Sequence, residues 1–213
     1  HRAMSRRFFV ACVARAMGRG LKPVKVDTVL ILQGPQGARK STSFRTLAGA
    51  DWFSDTALDI RNKDAFQSIR GIWLYELAEL AATRPRDAET VKAFLSAETD
   101  RYRPPYGRNT VESHRQVIFV GTTNEASFLA DPTGARRFWP VTVGAIDLEA
   151  IERDRSMLWA EAAAAFLNGE RWWLTPDEDV QLREAQERYR HEDPWEGFIT
   201  DWLLTQPGGG IRV

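Results

Sequence analysis

"DTVLILQGPQGARKSTSFRTLAG", residues 27–49, is the stretch on which the fold turns. Residues 27–34 form a short, continuous apolar run ending in glycine, the pattern of a strand buried on both faces. Residues 40–49 have helical character and stop at Gly49. Between them stands "GPQGARKST", residues 34–42. A phosphate-cradling loop needs backbone N–H groups aimed at the phosphates and a helix N-terminus behind them. It also needs a lysine for the β- and γ-phosphates and a hydroxyl for Mg²⁺. Strand, glycine-rich turn and helix occur in the required order. Gly34, Gly37, Lys40 and Ser41 stand at the standard spacing, and Pro35, Gln36, Ala38, Arg39 and Thr42 complete the candidate loop. The departure is Arg39, because G-x-x-x-x-G-K-[ST] puts glycine directly before the lysine. If that position needs a left-handed backbone, a side chain there costs roughly 1–2 kcal/mol.

Working outward, "GIWLYELAEL" (71–80) is a second apolar run that closes on acids, and "RQVIFVGTTN" (115–124) is a third that closes on Thr-Thr-Asn. Phosphoryl transfer on such a loop needs an acid at the end of a neighbouring strand and a group that orients the attacking water. Glu76 is the candidate metal-side acid and Glu79, one turn on, the candidate base. The competing reading is a pair of solvated glutamates at a helix start, which the helix dipole favours anyway. Asn124 is placed to contact the γ-phosphate or its water, unless it merely closes the strand as a turn residue. Arg136 and Arg137 precede "FWPVTV" and are candidates for an arginine acting on a neighbouring subunit's nucleotide; the alternative is a surface charge pair.

The spacing predicts helices over 3–17, 86–99, 147–168, 176–190 and 194–204. The last two are opened by "TPDE" and "DPWE", with Pro at the first helical position and Glu three residues after the cap. Residues 100–115 read as a hairpin turning near 104–107, where Arg101, Arg103 and Arg108 alternate with Tyr102 and Tyr106. Basic groups that track a phosphate backbone and aromatics that stack on bases make this the local candidate for single-stranded DNA. An ordinary solvated hairpin is its rival.

Composition sets the limits. The chain has 213 residues, 43% of them hydrophobic, enough for one sizeable core. Its net charge of zero gives no overall footprint of nucleic acid, so that case rests on the local patch. The single Cys12 offers no intramolecular disulfide and no cysteine-based metal site. Neither a transmembrane run nor a secretion signal is legible, so the expected location is cytoplasmic, with no membrane partner. The eight tryptophans, Trp159, Trp172, Trp173 and Trp202 among them, read as core packing. The expected architecture is an α/β P-loop fold with a central, largely parallel sheet and flanking helices. It divides into a core to about residue 143 and a helical lid over 144–213. The opening on His1 rather than on a methionine, and the ending "TQPGGGIRV", suggest a piece of a longer protein.

Together, "GPQGARKST", "LYELAEL", "VKAFLSAETDRYRPPYGR", "IFVGTTN" and "DPTGARRFWPV" resemble the virulence-associated protein E family of phage and mobile-element proteins, over about residues 1–204. That family is similar to superfamily 3 helicases of the AAA+ class and is often joined to a primase-like region. The resemblance implies DNA-stimulated ATP hydrolysis with Mg²⁺, a homo-oligomeric ring that is hexameric in the family, and action on single-stranded or forked DNA. It assigns Lys40 and Ser41 to Walker A, Glu76 with Glu79 to Walker B, and Asn124 to sensor 1. Lys92 and the 100–108 hairpin fall on the DNA side, and Arg136 or Arg137 is the finger. The alternatives are a nucleotide-binding assembly module with little hydrolysis, or a small-molecule phosphotransferase.

Overall fold

The structure, a computed structural model, describes residues 2–18, 22–62, 64–77, 88–104, 107–129, 135–190 and Trp202. In chain order, α1 (Arg2–Met17) leads to β1 (Val29–Gln33), α2 (Lys40–Ala48) and the short β2 (Phe53–Ser54). Then come α3 (Ala65–Ser68), β3 (Leu74–Glu76), α4 (Ala88–Ser96) and a hairpin of β4 (Thr99–Tyr102) with β5 (Val111–His114). β6 (Ile118–Thr123), β7 (Phe138–Thr142), α5 (Leu148–Leu167) and α6 (Pro176–Glu187) complete the fold.

The central sheet has five strands in the order β2-β3-β6-β1-β7, and every pairing in it is parallel. β1 is buried on both faces, which its unbroken apolar run required. Leu30 and Leu32 enter one core with Met4 and Phe8 of α1, Phe44 of α2, Trp139 and Leu182. Val29 and Ile31 enter the opposite core with Val91, Phe94 and Leu95 of α4. This is the period-2 alternation of a strand with helices on both sides. Because all strands point the same way, the segments after β1, β3 and β6 gather at one edge of the sheet. The segments leading into β1 and β7 gather at the other.

The predicted sheet and helices are present, with differences. The helix expected over 86–99 ends at Ser96, because residue 99 already opens β4. β2 and α3 carry too few residues for a period and were not legible. The helix expected over 194–204 lies outside the described residues, apart from Trp202. Trp173 and Trp202 are not core residues, being 50% and 60% exposed, whereas Trp139 is buried and Trp159 and Trp172 pack against the core. Beyond the boundary suggested near residue 143, α5 and α6 pack on one core of the sheet. The Trp159 indole donates to Leu47 O at 2.9 Å, and Leu182 packs with Met4 and Phe8. No helix among the described residues is long and apolar enough to cross a membrane.

A charge clamp joins α1 to the start of α6. Arg7 reaches Glu170 at 3.0 Å and Glu178 at 3.0 Å, and Glu178 also closes the capping box with Thr175. The hydrogen bond from Arg6 holds the Glu170 carboxyl below its ordinary range. Burial pushes Glu178 up, but bonds from the Thr175 N–H and Arg7 outweigh it and the net shift is downward. Depressed carboxyl values make the clamp's contribution complete at neutral pH and lost only as pH falls through those lowered values. Glu178→Ala, which removes the side-chain half of the capping box and an ion pair while leaving the Thr175 cap, is expected to cost about 1–2 kcal/mol, seen as a melting temperature several degrees lower.

Candidate functional site

The loop after β1 is shaped by what it passes. A Cβ on Gly34 would lie 2.4 Å from Val143 O, so the chain comes too close to the end of β7 for any side chain. Gly37 has φ 82°, and an Ala38 N–H to Pro35 O bond of 3.3 Å tightens the turn. Arg39 then stands at the N-cap of α2 with φ 63° and ψ 31°. It is the non-glycine residue with positive φ among the described residues. The arginine at the glycine position therefore adopts the left-handed conformation a glycine would supply, its strain carried by the surrounding fold. Its side chain is exposed and does not cap the helix.

Lys40, the next residue, is buried at 7% exposure. Its Nζ donates to Gly34 O and Pro35 O, both at 2.9 Å, and to Asn124 Oδ1 at 2.7 Å. All three ammonium protons are thus directed at the loop and the end of β6. Desolvation lowers the Lys40 pKa below its ordinary value, with the Glu76 charge opposing the shift.

Ser41 Oγ donates to Glu76 Oε1 at 2.8 Å, and Thr122 Oγ1 donates to the same oxygen at 2.6 Å. Glu76 is 5% exposed, and its other oxygen, Oε2, is buried with no hydrogen-bond partner. A buried carboxylate oxygen left unpaired is costly, typically about 1–3 kcal/mol and more when charged. Two hydroxyls aim the carboxylate from one side and leave the free oxygen for something else. A divalent cation fits that oxygen and the adjacent Ser41 hydroxyl. Among the described residues there is no cluster of three His, Cys, Asp or Glu, so the donor set suits Mg²⁺, which uses one or two protein oxygens and completes its shell with water and phosphate.

Lys40, Ser41, Glu76 and Asn124 thus meet at the carboxyl edge of the sheet, as their sequence positions suggested. Thr122 belongs with them and was missed. The signal was its place two residues before Asn124, at the end of the same apolar run. Glu79 lies outside the described residues.

Arg136 and Arg137 lie at the opposite edge, in the 3-10 turn immediately before β7. Arg137 is held by its own subunit: Nε is 3.6 Å from Asp27 Oδ2, Nη2 donates to Ser96 Oγ at 3.3 Å, and the side chain is 14% exposed. Arg136 is 4.0 Å from Asp27 and its side chain is 66% exposed.

On the hairpin, Arg101, Arg103 and Arg108 are exposed, and Arg103 Nε donates to Gly107 O at 2.6 Å. Pro105 and Tyr106 lie outside the described residues. Arg101 sits directly opposite Glu112 in the register, which offsets its charge. Lys92 is 2.9 Å from Glu89 with a side chain 15% exposed, so it is tied to α4 rather than presented with the hairpin arginines.

Fold and site together define an α/β protein whose parallel sheet gathers a lysine, two hydroxyls, a carboxylate and an amide at one edge. The chain belongs to the virulence-associated protein E-like domain family, whose model matches residues 1–191. No curated protein matches it. Among solved structures it is similar to the apo NrS-1 C terminal region (305-718), with a TM-score of 0.51 and 13% identity over 93% of this chain and 51% of that one. The A form apo structure of the same region gives a TM-score of 0.52 and 12% identity over 92% of this chain and 52% of that one. At such identities the likeness is one of fold, and the chain spans about half the length of those structures.

Proposed function

We propose that this chain is a P-loop ATPase of the AAA+, superfamily 3 helicase-like class, the DNA-dependent motor of a phage or mobile-element replication protein. The observation that carries the reading is the convergence of Lys40, Ser41, Asn124 and the unpaired Glu76 Oε2 beside a glycine loop at a helix N-terminus. ATP would lie on residues 34–42, its phosphates meeting the loop N–H groups and the ammonium of Lys40. Phosphate oxygens compete with Gly34 O, Pro35 O and Asn124 Oδ1 for Nζ, so nucleotide binding frees the Asn124 amide to turn toward the terminal phosphate or its water. Ser41 and Glu76 would hold Mg²⁺, which when bound offsets charge on the β- and γ-phosphates. Glu79 is assigned as the base that takes the proton of the attacking water.

The opposite-edge position of Arg136 and Arg137 favours action between subunits. A five-residue strand such as β7 separates them from the loop by roughly 16 Å, too far for service in their own site. Arg136 is the better finger, because Arg137 is already engaged by Asp27 and Ser96. The reading calls for a ring of copies, each lending Arg136 to its neighbour, with the Arg101, Arg103 and Arg108 face toward single-stranded or forked DNA. Lys92 has a lesser part, being paired.

Steady-state ATPase with and without single-stranded DNA tests the reading. Turnover is expected to rise with DNA and to vanish in Lys40→Ala. Arg136→Ala is also expected to be inactive, and mixing it with Lys40→Ala should restore turnover, since one copy keeps the loop and the other the finger. Inactive mixtures of two well-folded variants, or DNA-insensitive turnover, would overturn the intersubunit motor.

Arg39 does not favour the rival assembly module, because the loop already has the shape that glycine would give it. Arg39→Gly is expected to change turnover by only a few fold. It relieves a left-handed cost of roughly 1–2 kcal/mol but adds unfolded-state entropy of about 0.4–1 kcal/mol, so the net stability gain lies between about zero and about 1.6 kcal/mol. Turnover appearing only in Arg39→Gly would restore the module reading.

A further inference from the structure

An apolar pocket opens at the amino edge of the sheet, opposite the 34–42 loop. It has a volume of about 360 Å³, within the range of ligand sites. Its lining comes from Ala16 at the end of α1, Trp52 just before β2, Gly71, Ile72 and Trp73 just before β3, and Gln116 just before β6. The pairing of β2 with β3 brings the two tryptophans together, for Trp73 N–H donates to Trp52 O at 2.9 Å, one step before the Phe53–Leu74 pair. Trp73 is fixed in place. Its indole N–H donates to Cys12 O at 3.0 Å, and its ring centroid lies 4.4 Å from that of Trp159. With that N–H engaged, what Trp73 offers the pocket is ring surface. Trp52 stands 57% exposed, an aromatic wall left in water. Gly71 has φ 79°, a conformation that favours glycine and leaves the lining there without a side chain.

The walls and the border decide what the pocket would take. Flat aromatic walls suit a flat ring. Gln116 is exposed and carries an amide donor and acceptor, which the edge of a nucleobase can meet and an aliphatic side chain cannot. The border is basic, because exposed Arg70 directly precedes Gly71. Arg70 Nη1 donates to the Tyr102 hydroxyl, and the guanidinium lies 5.9 Å from the Tyr102 ring centroid. Neither contact neutralises the charge, and both hold it. Asp51, next to Trp52 in the chain and also exposed, disfavours phosphate on its side and leaves the Arg70 side for it. A flat ring joined to a phosphate is a nucleotide. One arginine without a glycine cradle matches the single phosphate per base of a strand, not the charge of a free di- or triphosphate. Tyr102 ends β4, so Arg70 also ties the pocket to the hairpin that carries Arg101, Arg103 and Arg108.

We propose that this pocket captures one unstacked base of single-stranded nucleic acid, with the base against Trp73, Trp52 as the outer wall, Gln116 at the base edge and Arg70 on the adjoining phosphate. The proposal rests on the reading that the chain meets single-stranded DNA, and deepens it: the hairpin arginines hold phosphates, whereas the pocket holds a base. Stacking makes the capture tolerant of sequence, since every base has a ring face.

The test is binding of a fluorescent short oligothymidylate, followed by anisotropy, beside the fluorine spectrum of the fluorotryptophan-labelled chain with the Trp52 signal assigned by its loss in Trp52→Phe. Trp52→Ala is expected to weaken binding about tenfold or more, while Trp52→Phe keeps most of it. Arg70→Gln should weaken binding and lower its salt slope by about 1. An oligomer of abasic sites with the same phosphates should bind the wild type and Trp52→Ala equally, and the Trp52 signal should move with oligothymidylate only. Oligothymidylate bound equally by Trp52→Ala, with the wild-type Trp52 signal unmoved, overturns the pocket. If that binding is still lost in the Arg101→Gln, Arg103→Gln double variant, the DNA reading survives without it. A wild type that binds no oligothymidylate removes both. A Trp52 signal that moves as readily with thymidine monophosphate overturns the strand in favour of a free nucleotide, and one that moves with protein concentration alone overturns it in favour of a second copy of the chain.

Discussion

Glu76→Gln is expected to abolish turnover while making the resting protein more stable. The substitution keeps the shape of the side chain, and Ser41 and Thr122 can still donate to an amide oxygen in place of Oε1. What changes is the second position. There the wild type holds a buried oxygen without a partner, and glutamine puts an N–H₂ donor where the proposed cation needs an acceptor. Loss of a metal-side acid is expected to lower kcat by at least about 10²-fold, comparable to removing one preorganised electrostatic contact. Neutralising a buried, half-satisfied carboxylate should add about 1–2 kcal/mol of stability in the absence of nucleotide. Activity and stability moving in opposite directions is the signature of a group held for function at a structural cost. A merely structural Glu76 would lose both together, so ATPase measured beside thermal unfolding separates the cases. Unchanged turnover would remove Glu76 from the mechanism.

Most of the site was legible because several local rules agreed at the same residues. The apolar run, glycines, Lys-Ser pair and helix of 27–49 each pointed the same way, and the fold follows them. Arg39 shows how far such reading goes: the sequence posed the left-handed question, but only φ 63° shows that the arginine accepts that conformation. Contacts between elements were harder. Thr122 is an ordinary strand residue until β6 lies beside β3 and brings its hydroxyl to Glu76. That Glu112 faces Arg101 depends on hairpin register, which a one-residue slip would undo. Arg136 and Arg137 looked equivalent as neighbours in sequence; Asp27 and Ser96, distant in sequence, make them different. Trp173 was misjudged for a related reason, since residue type favours burial while this one stands half exposed at the rim of a cleft.

Asp100→Ala is expected to be the most damaging single change away from the 34–42 loop. Arg115 has a side chain of 0% exposure, and its Nε and Nη2 both donate to Asp100 Oδ1, at 2.8 and 2.6 Å. Its Nη1 donates to Phe94 O, and the guanidinium lies 4.7 Å from the Phe94 ring centroid. Close by, buried Arg15 donates to Arg115 O at 3.1 Å and to Val26 O at 2.8 Å. Burial, and next the charge of Arg115, lower the Arg15 pKa to about 10. Two buried cations therefore depend heavily on the carboxylate of Asp100. Without it, Arg115 keeps one carbonyl and aromatic faces, too little to replace hydration, and the expected loss is about 3–5 kcal/mol. At a chain of this size that corresponds to a fall in melting temperature on the order of 10 °C. Asp100 lies in β4 and Arg115 just after β5, so the same pair fastens the base of the hairpin to α4 and the sheet. On the proposed motor reading, stimulation by DNA should therefore weaken under conditions where the variant remains folded, while the nucleotide binding proposed at Lys40 persists. The double variant Asp100→Leu with Arg115→Met removes both charges and is expected to lose less stability than Asp100→Ala alone, because no uncompensated cation at 115 is left behind. A single variant that costs less than about 1 kcal/mol would mean that water or Glu98 replaces the carboxylate, and the hairpin would then owe its position to packing rather than to this pair.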